Sequence, residues 1–203
     1  MNKAGRNRKT TIATHVARAM QLAGLATLLV DSDPQGSARD WRAAREDHPL
    51  PVVGLDRKTL DKDIRAVSSG YDILVIDGAP QIAELSVAAI KCADLVVIPV
   101  QPSPYDVWAC GDLVDLLKAR QEVTEGKPKA AFLISRVIKN TQLGRDVSEA
   151  LREFGLPILG ETIGQRQAYP KTAAQGSTVL DEEPGNEAAR EIEQLAKRIR
   201  EMM

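Results

Sequence analysis

With 203 residues, of which 43% are hydrophobic and 27% charged, the chain can bury one sizeable core but is short for two domains, so the sequence predicts a single domain over residues 1–203. Aromatic residues make up only 3%, and the apolar content comes mainly from Ala, Val, Ile and Leu, which disfavours an all-β sandwich. The formal net charge of -1 excludes a protein that coats nucleic acid with its whole surface and leaves room only for a local basic patch.

The cysteines and the apolar runs indicate the cellular compartment of the protein. Cys92 and Cys110 lie apart within apolar patterns, so we expect reduced core residues and neither a disulfide framework nor a zinc cluster. No apolar run approaches the ~18 residues of a membrane span. The basic residues Lys3, Arg6 and Arg8 are not followed by an apolar segment with a cleavage site. These features predict a cytoplasmic protein.

Short apolar runs alternate with helical patterns along the chain. The predicted strands cover residues 26–31, 52–55, 73–77, 95–100, 131–135 and 158–163. The predicted helices cover residues 10–23, 58–69, 82–92, 107–123, 144–154 and 186–203. This repeated order predicts an α/β fold: a doubly wound, mostly parallel sheet with helices on both faces.

The last predicted helix has one apolar face. Ile192, Leu195 and Ile199 recur at intervals of three and four residues. We interpret this helix as a lid packed on the sheet. A membrane-binding amphipathic helix is the alternative.

Aspartates stand where two of the predicted strands end. Ligands with phosphate groups bind beyond the carboxyl ends of parallel strands, so these positions are the first candidates for a site. Asp77 ends the apolar run 73–76 and could hold magnesium directly or through a water molecule. Asp31 ends another run, and Asp33, two residues later, could lie over a bound γ-phosphate. For Asp33, which precedes Pro34, an Asx turn or a helix N-cap is the alternative.

The sequence Lys9-Thr10-Thr11 stands at the head of the first predicted helix. A lysine there can reach the β- and γ-phosphates of a nucleotide, and a threonine hydroxyl can bind magnesium. The helix start adds unpaired N–H groups and a dipole that favours anions. An ordinary capped helix is the alternative interpretation.

These motifs, in this order, resemble the ParA-type partition ATPases of the deviant Walker A superfamily, which also includes MinD. The resemblance runs from Lys9 to the C-terminus and looks closest to short plasmid ParA proteins without an N-terminal DNA-binding extension. The stretches that carry it are DSDPQGSARDW at 31–41, DGAP at 77–80, ADLVVIPVQPSPYD at 93–106, FLISR at 132–136 and IGQRQAY at 163–169. The implied fold is that of a P-loop NTPase.

The resemblance implies a role for each matching residue. Lys9 would contact phosphates and act in catalysis, and Thr11 would hold the region of the α-phosphate. Thr10 would ligate magnesium. Asp77 would support the metal directly or through water. Asp33 would also contact the metal and would position or activate the attacking water. The implied cofactors are ATP and Mg²⁺.

The resemblance also implies contacts beyond the phosphates. Arg136 lies where family members touch the nucleotide base, and segment 99–105 would face the second subunit of a nucleotide-sandwiched homodimer. A centromere-binding ParB-like adaptor and non-specific DNA are the implied partners, with Lys139, Arg166 and Lys171 as candidate DNA contacts. No stable membrane association is expected, and the protein would be associated with the nucleoid.

The phosphate-binding loop departs from the family pattern. Where the family has Lys-Gly-Gly-x-Gly-Lys-Thr-Thr, this chain has Ala4, Gly5, Arg6, Asn7, Arg8, Lys9, Thr10 and Thr11. Residues 5–11 are therefore the predicted nucleotide-binding loop, with a single remaining loop glycine, and the family's signature lysine falls on Ala4. Side chains replace glycines that allow positive φ and a close backbone approach to phosphate.

The segment before this loop predicts a gap in the sheet. The family has an apolar strand there, at the centre of the sheet, whereas only a few polar residues precede the loop in this chain, fewer than the ~5 to 6 of a usual strand. We expect the central first strand to be missing. A truncated, mis-started or frameshifted beginning is the hypothesis that explains it.

Three functions remain open from the sequence. The leading one is an ATPase that switches DNA partition, of a plasmid or a chromosome, by hydrolysing ATP in a sandwiched dimer. The second is a ParA-like interaction module with impaired nucleotide binding, which the altered loop favours. The third is a MinD-like ATPase that cycles on and off a membrane, and it depends on the last helix.

Overall fold

The computed structural model describes residues 7–79, 82–138, 142–182 and 185–203. The strands are β1 (Thr27–Asp31), β2 (Val52–Gly54), β3 (Ile73–Asp77), β4 (Leu95–Val100), β5 (Lys129–Val137) and β6 (Ile158–Gly164). The helices are α1 (Asn7–Leu22), α2 (Ser37–Ala43), α3 (Leu60–Val67), α4 (Ala83–Cys92), α5 (Pro104–Trp108), α6 (Gly111–Glu122), α7 (Gln142–Arg152), α8 (Ala168–Ala173) and α9 (Glu187–Met202).

Strand and helix alternate as predicted, and each predicted strand is found within two residues of its expected limits. The predicted helix over 107–123 is wrong as a single element, because the structure has α5 and α6 with a turn between them. Pro104 starts α5 at a position where its missing N–H costs nothing, and α6 starts at Gly111. Helices α2 and α8 were not predicted, because they are only 7 and 6 residues long.

The strands form two parallel three-stranded sheets, with strand orders β2-β1-β3 and β4-β5-β6. The sequence predicts one sheet whose central first strand is missing. The structure has a break between β3 and β4, and because residues 1–6 lie outside the described part of the chain, the missing strand stays a prediction. Within the described residues, neither strand has a hydrogen-bonded neighbour on the side facing the break.

Shared helices hold the two sheets together. On one face, α1 and α9 contribute to a core that reaches both sheets, since Met20 and Leu195 belong to the same apolar cluster as Leu133 of β5. Val75 of β3 and Val97 of β4 pack against that cluster. On the other face, α4 lies between one cluster under β3 and another under β4. The break therefore lies between covered faces.

The apolar face of α9 is buried in this core. Ile192 and Leu195 are fully buried, Ile199 is nearly so, and the side chain of Asn186 caps the helix by accepting a hydrogen bond of 2.8 Å from the N–H of Ala189. This confirms the lid interpretation and leaves the stripe unavailable to lipid. Among the described helices, none is long and apolar enough to cross a membrane.

His15 is a buried, uncharged link between α1 and the loop before α9. Its Nδ1 lies 2.7 Å from the carbonyl oxygen of Thr11, and its Nε2 accepts a hydrogen bond of 3.2 Å from the N–H of Val179. Because a protonated ring could not accept the second bond, these partners select the neutral form with the proton on Nδ1. Burial is the main cause that lowers the pKa of His15 to about 4.

We expect this histidine to make the fold sensitive to acid. The unfolded chain binds a proton at His15 from about pH 6.5 downward and the folded chain only near pH 4, so stability falls as the pH falls between those values. Relative to His15→Gln, the free energy of unfolding should decrease by about 2 kcal/mol between pH 7 and pH 5. Urea unfolding at both pH values measures it. An equal pH dependence in both proteins would contradict the neutral histidine.

Candidate nucleotide and magnesium site

The three predicted motifs meet where the carboxyl ends of β1 and β3 approach the first turn of α1. The parallel register pairs Asp31 with Asp77, so both aspartates stand at the same edge of the sheet. From the helix, the Thr10 hydroxyl donates a hydrogen bond of 2.6 Å to Oδ2 of Asp77. Thr10 and Asp77 are 67 residues apart in the sequence, and Asp31 and Asp77 are 77 − 31 = 46 residues apart. The fold thus brings a hydroxyl and two carboxylates from distant parts of the chain to one place.

Asp77 is buried among like charges. Only 2% of the residue is exposed. Burial is the main cause that raises the pKa of Asp77 to about 7, and the charges of Asp31 and Asp33 raise it further, while the Thr10 hydrogen bond and Lys9 oppose the shift. A carboxylate in this setting gains from a cation beside it. The hydroxyl and carboxylate oxygens also match the ligands that Mg²⁺ prefers, so the residues present fit that ion.

Asp33 lies in a tight turn directly after β1. Its N–H donates to Oδ1 of Asp31 at 3.1 Å, and its own Oδ1 accepts from the N–H of Gln35 at 2.9 Å. The Gly36 N–H closes the turn on the Asp33 carbonyl at 2.9 Å. The Asx turn considered from the sequence is therefore present, while the catalytic role of Asp33 stays a prediction.

Arg39 holds this turn in place and was not predicted from the sequence. Its backbone N–H and Nε both donate to Oδ2 of the fully buried Asp31, at 3.0 and 3.3 Å. Its Nη2 reaches the Asp33 carbonyl oxygen at 3.2 Å and Oδ2 of Asp56 at 3.0 Å. A side chain at Gly54 would begin 2.9 Å from Arg39, so the glycine leaves room for the guanidinium. The only sequence signal was its place in the stretch 31–41.

Helix α1 begins three residues earlier than predicted, at Asn7. Asn7 and Arg8 thus belong to the first helical turn, although nothing is described of their side chains, and Gly5 and Arg6 lie outside the described residues. The positive charge of Lys9 opposes the burial that raises the pKa of both Asp77 and Cys110, so Lys9 is close enough to act on both groups.

Arg136 lies at the other sheet, near the carboxyl end of β5. Its φ of 57° is a left-handed conformation that is uncommon for a residue other than glycine, and its side chain is exposed. The strain coincides with a cavity of about 380 Å³, lined by Val137, Ile138, Gly164, Gln165, Arg166 and Glu187. Backbone strain of this kind concentrates at functional sites.

Two of the three candidate DNA contacts, Arg166 and Lys171, form ion pairs with glutamates. Arg166 donates to Glu191 at 2.6 Å and pairs with Glu187 at 3.0 Å, which neutralises its charge. Lys171 lies 3.4 Å from Glu182, and Lys139 is outside the described residues. Two carboxylates thus hold Arg166, whereas the pair of Lys171 with Glu182 is exposed and weak, and the DNA contacts stay predictions.

An exposed aromatic pair lies close to the site on α5. Tyr105 and Trp108 are 77% and 70% exposed, and their rings meet edge to face with centroids 5.4 Å apart. Cys110 lies two residues after Trp108; burial raises the pKa of its thiol to about 11, and the charge of Lys9 opposes that shift. The predicted dimer-facing segment 99–105 therefore runs into an exposed aromatic surface beside the candidate site.

Residues 1–179 match the family model described as the CobQ/CobB/MinD/ParA nucleotide binding domain. The chain is similar to two proteins named "Maintenance of carboxysome distribution protein A": one from Gloeobacter kilaueensis, 31% identical with 99% of this chain and 90% of the relative covered, and one from Halothiobacillus neapolitanus, 27% identical with 94% and 90% covered. It is also similar to the chromosome-partitioning ATPase Soj of Thermus thermophilus, at 26% identity over 98% of this chain and 92% of the relative.

Solved structures share the fold. An ATP complex of a Cyanothece McdA variant has a TM-score of 0.78 at 15% identity and covers 97% of this chain and 93% of its own. The MinD cell division protein of Aquifex aeolicus has a TM-score of 0.75 at 18% identity, with 95% and 91% covered. Both similarities extend over almost the whole chain.

Proposed function

The chain belongs to the CobQ/CobB/MinD/ParA family of nucleotide-binding domains, and from this premise we propose that it is an ATP-dependent switch that positions a cargo in the cell. ATP binding closes a homodimer, and hydrolysis to ADP and phosphate opens it. The observation that carries the proposal is the Thr10–Asp77 contact at the head of α1, beside Asp31 and Asp33.

Thr10 and Asp77, with Asp33 nearby, would hold Mg²⁺ in this switch. The bound ion supplies positive charge that neutralises the phosphate oxygens. Asp77 accepts the cation in its ionised form, which its raised pKa leaves only partly populated near pH 7. Metal binding would therefore release a proton from Asp77.

The first turn of α1 would hold the phosphates. Lys9 brings a positive charge to the helix start, where the first backbone N–H groups point outward, and Thr11 stands in the same turn. Asp33 would position the attacking water, with Asp31 and Arg39 keeping its turn in place. At the other sheet, the cavity beside Arg136 would receive the base.

The dimer would form over the edge that carries this site. Tyr105 and Trp108 expose a large apolar area there, and exposed aromatic residues are enriched in protein interfaces. An adaptor protein bound to the cargo would stimulate hydrolysis. The sequence points to DNA as the cargo with a ParB-like adaptor and to association with the nucleoid. The relatives named for carboxysome distribution support a carboxysome as the cargo equally.

A second candidate is an interaction module that no longer depends on nucleotide. One observation favours it: Arg6 and Arg8 stand in the loop where the family has glycine. The two candidates differ in one measurable property, the binding of ATP with magnesium.

Calorimetric titration of the full chain with ATP and magnesium, combined with phosphate release, separates them. For the switch, we expect saturable binding below about 1 mM, the usual upper range for such substrates. Thr10→Val, which removes the hydroxyl and keeps the shape, should weaken binding about tenfold in magnesium and little in EDTA. Arg200→Ala, at an exposed position near the end of α9, is the control. Absence of saturable binding in the wild type would favour the interaction module.

A further inference from the structure

The guanidinium of Arg39 fills a space between two glycines. A Cβ atom at Gly36 would lie 3.2 Å from Nη2 of Arg39, and one at Gly54 would lie 2.9 Å from its Nη1. The φ of 68° at Gly36 favours glycine for the backbone alone. Gly54 has no positive φ, so the room that it leaves for Arg39 is what its missing side chain provides. The backbone around β1 and β2 is therefore shaped to hold this side chain.

Arg39 connects the ends of two neighbouring strands. Its Nε donates to Asp31, the last residue of β1, and its Nη2 donates to Asp56, two residues after the end of β2. The side chain of Asp31 is fully buried, whereas that of Asp56 is 31% exposed. Breaking a buried pair is costly and an exposed pair is weak. The contact with Asp31 is therefore permanent, while the contact with Asp56 can be lost and regained.

One atom of the guanidinium serves both Asp56 and the Asp33 turn. Nη2 of Arg39 donates to Oδ2 of Asp56 at 3.0 Å and to the carbonyl oxygen of Asp33 at 3.2 Å. If the carboxylate of Asp56 is withdrawn, Nη2 loses the partner that holds it over that carbonyl. A reacting group must be placed accurately, since a misplacement of about 1 Å can cost about 100-fold in rate. The position of Asp56 thus bears on how precisely Asp33 is held.

We propose that Asp56 regulates ATP hydrolysis through Arg39. While Asp56 holds the guanidinium, the Asp33 turn stays in the position that serves the attacking water, and loss of that contact slows turnover without changing the affinity for nucleotide. This regulation rests on the proposed function, in which Asp33 positions the water. Asp56 lies in the connection between β2 and α3, residues 55–59, of which residues 57–59 are exposed. A cationic group that binds this connection and takes the carboxylate of Asp56 would lower the rate of hydrolysis.

The variants Asp56→Asn and Arg39→Lys test the two residues of this connection. Asn keeps the shape of Asp56 without its charge, and the single nitrogen of Lys cannot replace a planar guanidinium that donates to three oxygens. We expect turnover to fall about threefold in Asp56→Asn and about tenfold or more in Arg39→Lys, with the affinity for ATP and magnesium changed by less than about twofold. The double variant should match Arg39→Lys alone, because Asp56 acts only through Arg39. Asp47→Asn, which removes the exposed partner of Arg45, is the matched control.

Hydrogen exchange in the nucleotide-free protein gives a second readout that does not require the reaction. The N–H of Gly36 donates to the carbonyl oxygen of Asp33, so its exchange reports on the turn. We expect exchange at Gly36 to be about threefold faster in Asp56→Asn and about tenfold faster in Arg39→Lys. Exchange in residues 73–77 of β3 should stay unchanged, which separates a loosened turn from a generally destabilised fold.

Three results would overturn this regulation. Unchanged exchange at Gly36 in Arg39→Lys would mean that Arg39 does not hold the turn. Faster exchange with unchanged turnover would mean that the turn is held for stability alone. A double variant slower than Arg39→Lys would mean that Asp56 acts by another route. If the wild type neither binds nor hydrolyses ATP while exchange at Gly36 responds as expected, the proposed function fails and the control of the turn by Asp56 stands.

Discussion

Replacing Asp77 with Asn is expected to stabilise the metal-free protein by about 2–4 kcal/mol at pH 8, because the wild type must hold an ionised carboxylate that its surroundings disfavour. The folded-state pKa of about 7 lies above the ordinary value of 3.8, so the folded protein binds the proton more tightly than the unfolded chain. The stability that protonation provides is complete below pH 3.8 and lost as the pH rises through 7. Asn mimics the protonated form and can still accept the Thr10 hydroxyl.

The same variant should lose the magnesium response. Urea unfolding in EDTA measures the gain in stability, which should shrink to less than half at pH 5. ATP with magnesium should raise the midpoint of thermal unfolding of the wild type and leave that of Asp77→Asn unchanged. Asp115→Asn, at an exposed position on α6, controls for the general effect of removing a negative charge. If Asp77→Asn is no more stable than Asp115→Asn at pH 8, the carboxylate is not held among uncompensated like charges.

Much of the site was predictable because its residues follow apolar runs. The run 73–77 ends in Asp77 in the structure as in the prediction, and the parallel direction of the strands follows from the repeated alternation with helices. Two aspartates at the ends of neighbouring parallel strands must share an edge of the sheet. The missing first strand stays a prediction, because residues 1–6 lie outside the described part of the chain.

The remaining contacts depend on tertiary structure that no local pattern records. Arg39 looks like any charged residue of a short amphipathic stretch, and its importance arises only when β1 brings Asp31 beside it. In the sequence, Arg166 resembles an exposed basic residue. In the folded protein it pairs with Glu187 and Glu191 of α9. The raised pKa of Asp77 likewise results mainly from burial of its carboxyl group. The sequence predicts that the strand is buried but not how deeply this one side chain lies.

Replacing Asp33 with Asn is expected to lower ATP turnover about 100-fold or more while the affinity for ATP and magnesium changes by less than about threefold. Asn preserves the turn, since its side-chain oxygen can still accept the Gln35 N–H, so only the charge beside the reacting phosphate is lost. Phosphate release under single-turnover conditions and calorimetric titration measure the two quantities separately. Asp40→Asn, at an exposed position on α2, is the matched control.

The two quantities assign the role of Asp33. If turnover falls and magnesium affinity does not, Asp33 acts on the attacking water, which is what its place in a turn outside the Thr10–Asp77 contact favours. If both fall together, Asp33 is a magnesium ligand, because a lost ligand weakens binding before any reaction occurs. Turnover in Asp33→Asn equal to that in Asp40→Asn would remove Asp33 from the reaction, and the catalytic water would then have to be positioned by another group at this edge of the sheet.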